Sequence, residues 1–527
     1  MRTETDKAQL YDRQLRLWQK DGQAALERAR VVVLGSSTLA SESLKNLVLP
    51  GIGEFIVVDD ALVSEADVRT NFFVRASDVG ESRAQSIVRN LCEMNPDVHG
   101  QAVVKAPADF ADLSNVSLVI ACAQPDKTVR ALGERCWSAN IPMITASNAG
   151  FIAEVRSAVR EHTIVESHGK VWPDLRVMAP FAELRAYADS FDLSALDSTD
   201  LAHVPFVVIL IKAADKWAAE TGLEKEGLTY KQRKEISALV EKMAPAAGEE
   251  NFDEAVAAIT TSCSDYVVSN DVNRILTDPA ANTADAQTSN FWLLANALRR
   301  YVASEYGAGK MPHSGAIPDM KADTQSYVNL QRIYKQKAEQ DKAELTQCLR
   351  KVVQEAALAA DHVSAGEIDT FCKNTSRLRL VRTHVLHHEA ETAPELWDNL
   401  VNEGVSEHYA LFRAAGVFLE KHGRYPGIPD AGAGAGDLDA QCEQDARELR
   451  AIAVELMTAW GSKDAEVAES LVAEFVRSGY MELHNVAAVV GGIVAQETIK
   501  LITHQYVPHN GICIIDTANN VLAAVKA

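Results

Sequence analysis

Over roughly the first 160 residues, short apolar runs alternate with stretches in which apolar residues recur every three or four places, the rhythm of βαβ units around a parallel sheet. Val31 to Leu34 predicts a buried strand, and Gly35 then opens a helix with Leu39, Leu44, Leu47 and Val48 on one side. Gly51 and Gly53 end that helix, and Phe55 to Val58 is the next strand, closing on Asp59 and Asp60. Ser82 to Met94 reads as a helix stopped by Asn95-Pro96. Val116 to Ala121, Pro142 to Thr145 and Phe151 to Val159 supply three more strands.

From about Pro180 to Asn402 the strand signals give way to long helical patterns, among them the run from Phe291 and the charged run from Tyr327 past Val353. The tract Ala431 to Gly436 is a flexible loop by composition. Beyond it the pattern is mixed again: helices around Glu448 to Trp460 and Ala465 to Arg477, a small-residue helix from Asn485, and a strand at Gly511 to Ile515. The expected domains are therefore 1–179 and 403–527 as two parts of one α/β fold, with 180–402 as an all-helical insert.

With 52 Lys and Arg against 73 Asp and Glu, the chain carries a formal charge of −21, which repels a phosphate backbone and excludes nucleic acid as a general partner. The 8 cysteines form no CxxC pair, which points to reduced thiols in a cytoplasmic and nuclear protein and to no metal site. A start charged from its first residues is not a signal peptide, and Gln496, Glu497 and Lys500 interrupt the apolar stretch Val486 to Thr503, so a buried helix is expected there and no membrane partner.

A strand, Gly35, a helix and the acid Asp59 form the outline of a nucleotide-binding unit. The loop Gly35-Ser36-Ser37-Thr38-Leu39-Ala40 has one glycine, and side chains at the other positions keep the backbone amides from closing on phosphates. Two readings stay open on residues alone: a weak phosphate site, as in an NAD-dependent oxidoreductase, or a glycine that only makes the turn.

The segments Tyr11 to Trp18, Leu44 to Gly53, Asp59, Asn71 to Ala84 and Asn95 to Val98 follow in order, and together resemble the adenylation fold of ubiquitin-like activating enzymes and their bacterial sulfur-carrier relatives, a Rossmann-like (ThiF/MoeB-like) α/β fold. Within that family, the helical insert, Ile164 to His168, Ile317 to Asp341 and Gly423 to Gly427 resemble the regulatory subunits of neddylation (Rub) activating heterodimers. The resemblance implies a catalytic partner subunit that carries the thioester cysteine and the ubiquitin-like domain, a ubiquitin-like modifier, and ATP with magnesium on the partner, none of these cofactors being held by this chain.

Departures from active members point the same way. Ser37, Thr38 and Ala40 replace loop glycines, Thr70-Asn71 stands where an arginine-glutamine pair is usual, Asp126 is displaced from the magnesium position, and Arg83 replaces a lysine. Cys263, Cys348 and Cys372 lack the Cys-Thr context of a thioester site and read as structural thiols. A self-sufficient adenylating enzyme would need those glycines and that cysteine. An adaptor with a vestigial fold is a further alternative. The resemblance gives Arg13 a role in trans on partner-bound ATP, against the alternative of a solvated arginine on an amphipathic helix; Gly35 and Asp59 become vestiges. It also makes Tyr327, Leu330, Gln331, Ile333, Tyr334 and Lys337 candidates for partner contact.

Overall fold

The computed structural model describes residues 7, 9–170, 172–384, 394–429 and 438–526. They form two units: 1–164 with 380–527, and 165–379.

In the first unit, α1 (Asp12–Arg28) leads into β1 (Arg30–Leu34), α2 (Thr38–Val48), β2 (Glu54–Val58), α3 (Arg83–Cys92), β3 (His99–Val103), β4 (Leu118–Cys122), α4 (Asp126–Ser138), β5 (Met143–Ala149) and β6 (Ile152–Ala158). After the insertion come α5 (Ser406–His422), α6 (Glu469–Ser478), α7 (His484–Thr503), β7 (Gly511–Asp516) and β8 (Val521–Lys526). The sheet order is β8-β7-β6-β5-β4-β1-β2-β3. β1 pairs in parallel with β2 and β4, Val33 facing Val57 and Ile120, whereas β6, β7 and β8 are antiparallel to their neighbours.

Alternation along β1 explains why its run is apolar throughout: Val31 and Val33 enter one core with Leu39, Leu44, Phe55 and Val490, while Val32 and Leu34 enter a second with Ile56, Val119 and Leu132. A third core joins Ile512, Ile514 and Val525 to Phe412 and Phe475. Helix α7 is long and apolar enough to cross a membrane by length and composition. Here it is a core helix, with Val486, Val490, Val494 and Leu501 buried. Gly491 lets it lie close against α2, since a Cβ there would meet Ser43 N at 2.8 Å.

The second unit is helical, its longest helix running Thr324–Glu355, around a core that includes Leu175, Val177, Trp217, Phe252 and Leu330. The expected boundaries at 179/180 and 402/403 are corrected to 164/165 and 379/380. Among the described residues of 165–179 there is no helix, and the segment reads as a continuation of the sheet, yet Leu175 and Val177 are buried in the helical core. Conversely Leu396, Trp397 and Leu400 lie on a helix but bury in the sheet unit. The chain leaves and re-enters that unit at one place: Val159 N–H donates to Thr383 Oγ1 at 2.8 Å, and Thr383 N–H to Val159 O at 2.9 Å. The Ala431 to Gly436 loop lies outside the described residues.

Candidate functional site

Strand β1 ends at Leu34, and Gly35 turns the chain with φ of +88°. A Cβ there would sit 2.6 Å from Gln124 Nε2 and 2.8 Å from Cys122 O, so both the backbone angle and the approach of the segment after β4 require glycine. Ser37 caps α2, accepting from Ala40 N–H at 3.3 Å. The free amides of such a first turn are where a nucleotide fold seats phosphate.

Here a carboxylate from the same chain takes that position. Glu482 Oε2 accepts from Leu39 N–H at 2.8 Å, and the Ser37 side chain and Thr38 N–H also serve it. Burial pushes the Glu482 carboxyl above its usual range, against these hydrogen bonds, which favour the anion. The sheet holds the acid in place: Glu482 bridges to Gly150, whose N–H donates to Met481 O at 2.9 Å.

Asp59 is committed too. It accepts from Ser36 N–H at 2.9 Å, from the Ser36 hydroxyl, from Ala61 N–H at 3.0 Å and from Arg83 Nη2 at 3.0 Å. Burial alone would raise this carboxyl, but Ser36, Ala61 and the Arg83 guanidinium outweigh it and hold it below its ordinary value. Arg83 also binds Asp67 at 2.8 Å and Ser36 Oγ at 2.8 Å. Asn71 is buried, donating to Ser41 Oγ at 3.0 Å and accepting from Phe73 N–H at 2.9 Å. Asp126 lies on Arg413 Nη1 at 2.9 and 3.2 Å, and Arg413 also pairs with Glu154.

These residues do not fit a magnesium nucleotide. The Glu482 side chain fills the phosphate seat, the acid at the ribose position is bound to Arg83, and Asp126, the candidate magnesium ligand, is bound to Arg413.

Arg13 is different. The first turn of α1 is anchored by Tyr11, which is 3 % exposed and whose hydroxyl accepts from Asn95 Nδ2 at 3.0 Å. Arg13 itself is exposed, and among the described residues no hydrogen bond or ion pair takes up its guanidinium. A charge held outward on an anchored turn can reach a second molecule.

The helix proposed for partner contact requires a correction. Leu330, Ile333 and Tyr334 are buried in the helical unit's own core, Tyr334 hydroxyl donating to Leu175 O at 2.6 Å, so they are not surface anchors. Their apolar period marks the inward face, a signal that cannot tell an own core from a partner. Tyr327 and Gln331 are half-buried, and Lys337 pairs with Asp341 at 2.8 Å. Burial also pushes the Cys263 and Cys372 thiols up to about 12 and raises that of Cys348, the opposite of an activated nucleophile.

Sequence reasoning missed Glu482 and Arg413, because each acts on a position hundreds of residues away and neither lies in a local motif.

The fold and this site define an adenylation-type sheet whose nucleotide seat is closed by its own side chains, and the chain belongs to the ThiF family, whose model matches residues 11–526. Within that family it stands with the regulatory subunits of the NEDD8-activating enzyme E1. It is 36% identical to the one from Xenopus laevis, over 96% of both chains, and 34% identical to the one from Danio rerio, over 99% of both. With the regulatory subunit AXL of Arabidopsis thaliana it shares 34% identity over 96% of this chain and 97% of that one. The oxidoreductase alternative is thereby set aside.

Proposed function

We propose that this chain is the non-catalytic half of a heterodimer. It binds a catalytic subunit that carries the thioester cysteine and the ubiquitin-like domain, and it supplies Arg13 to the ATP and magnesium held there. It thus supports adenylation of a NEDD8-type modifier and its transfer to the partner's cysteine, while binding no nucleotide itself. The observation that carries this reading is the Glu482 carboxylate on the first turn of α2. Exposed apolar side chains on the sheet unit, Leu17, Leu49, Phe72 and Met94, support a partner-covered surface. Eight free cysteines fit a reducing compartment, cytoplasm and nucleus.

Two measurements test it. Calorimetric titration of the purified chain with magnesium ATP is expected to show no micromolar binding that is lost on substituting Ser36 and Ser37 in the loop before α2. Modifier-dependent pyrophosphate exchange is expected only when the catalytic subunit is added; exchange by this chain alone would overturn the proposal.

A further inference from the structure

The helical unit contains a cavity of about 330 Å³ that the adenylation role does not use. Its walls come largely from irregular segments, around Asp174 to Ala179, Ser264 to Ser269 and Lys310 to Ser314, closed by Ser376 and Arg377. The charges at this cavity divide into committed and uncommitted groups. Arg176 binds Asp174 at 3.1 Å and donates to Met311 O at 2.9 Å, and Arg379 binds Asp271 at 3.3 Å. Asp265 accepts from Gly227 N–H at 2.9 Å. His313 is neutral by its bonding: Nε2–H donates to Asp174 O at 2.6 Å, and Nδ1 accepts from Gly315 N–H at 2.9 Å.

Two cations are left over. Among the described residues neither Lys310 nor Arg377 has an acidic partner, and Arg377 Nε is buried without an acceptor. Folded proteins seldom leave a buried donor unmet, and a chain of net charge −21 has acids to spare for pairing these two. At the rim, Trp172 is 45 % exposed, its indole fixed by donation to Ser262 Oγ at 3.2 Å.

We propose that this cavity is a binding site for a small phosphate-bearing molecule. The Arg377 fork and the Lys310 ammonium take the phosphate oxygens, and Trp172 offers a flat apolar face to the organic part. The volume suits a small molecule, since ligand sites begin at about 300 Å³.

The test titrates the purified full chain calorimetrically with inorganic pyrophosphate, citrate and an acidic hexapeptide, each without magnesium. Pyrophosphate is expected to bind, with citrate weaker. Lys310→Gln with Arg377→Gln is expected to weaken it at least about tenfold, a change of about 1.4 kcal/mol, while Arg377→Lys, which keeps the charge but loses the fork, weakens it less than the double variant does. The thermal unfolding midpoint of each variant distinguishes a lost site from a lost fold. No binding of pyrophosphate, binding unchanged in the folded double variant, or tighter binding of citrate or the peptide would each overturn the proposal.

Discussion

Arg13 and Arg83 are both arginines near a nucleotide fold, and their surroundings separate them. Arg83 is spent within the chain on Asp59 and Asp67, whereas Arg13 faces outward on a turn pinned by Tyr11. Arg13→Ala is therefore expected to slow modifier-dependent pyrophosphate exchange by roughly tenfold to a thousandfold, less than arginine fingers achieve in nucleotide hydrolases because magnesium shares the charge. Size exclusion of the same sample should show an intact heterodimer; wild-type exchange would return Arg13 to the solvated-helix reading. Arg83 has a different signature. Asp59 and Asp67 both lie below their ordinary value of 3.8, in each case because Ser and Arg83 contacts outweigh burial. Their stabilisation is thus present above the unfolded value and is lost as pH falls through the folded one. Arg83→Met weakens the depression, so acid unfolding followed by circular dichroism should begin at a higher pH than in wild type. An unchanged acid midpoint would mean that Ser36 and Ala61 suffice to hold Asp59.

Among the elements, the closing helix α7 and the long helix of the insert give contrasting tests. Gly491→Val would drive side-chain atoms into the backbone of α2 at Ser43 and Glu42, and overpacking of this kind costs about 1–3 kcal/mol, readable as a lower denaturant midpoint. On the Thr324–Glu355 helix, Leu330→Ala should cost about 2–5 kcal/mol, because Leu330 is fully buried. Half-buried Gln331→Ala should stay within about 0.5 kcal/mol of wild type. Equal losses would contradict the inward orientation of that face. Strands buried on both faces were legible in the sequence as continuous apolar runs. The two missed in the eight-stranded sheet, β3 and β8, are its edges: β3 reads HGQAV with no buried residue, and β8 buries only every second position. Edge strands meet half the neighbours, so little hydrophobic pattern is imposed on them. At the seat, Gly35 and Asp59 were legible because a turn and a strand end each carry a local signature, while the residues that close it come from distant parts of the chain.

At the scale of the whole molecule, the insertion has its own core, and the two strands of chain that lead to it are joined by Val159 with Thr383 and Glu161 with Arg382. Replacing residues 165–379 with a short Gly/Ser linker closes a loop whose ends already meet, at a small entropic cost. The sheet unit should then unfold cooperatively in urea with a smaller slope, in proportion to the surface removed; a molten product with no transition would show that the two cores fold only together. The closed seat bears also on the history of such a chain. Turning Ser37, Thr38 and Ala40 to glycine one by one would leave Glu482, 443 residues from the amide it binds, still occupying the place of an incoming triphosphate. Losing Glu482 alone would strand the amides of α2 without regaining the glycine cradle. Either step by itself weakens the fold without restoring binding, so the two are interlocked: a chain that opened this seat to phosphate would have to make both changes, passing through a less stable intermediate.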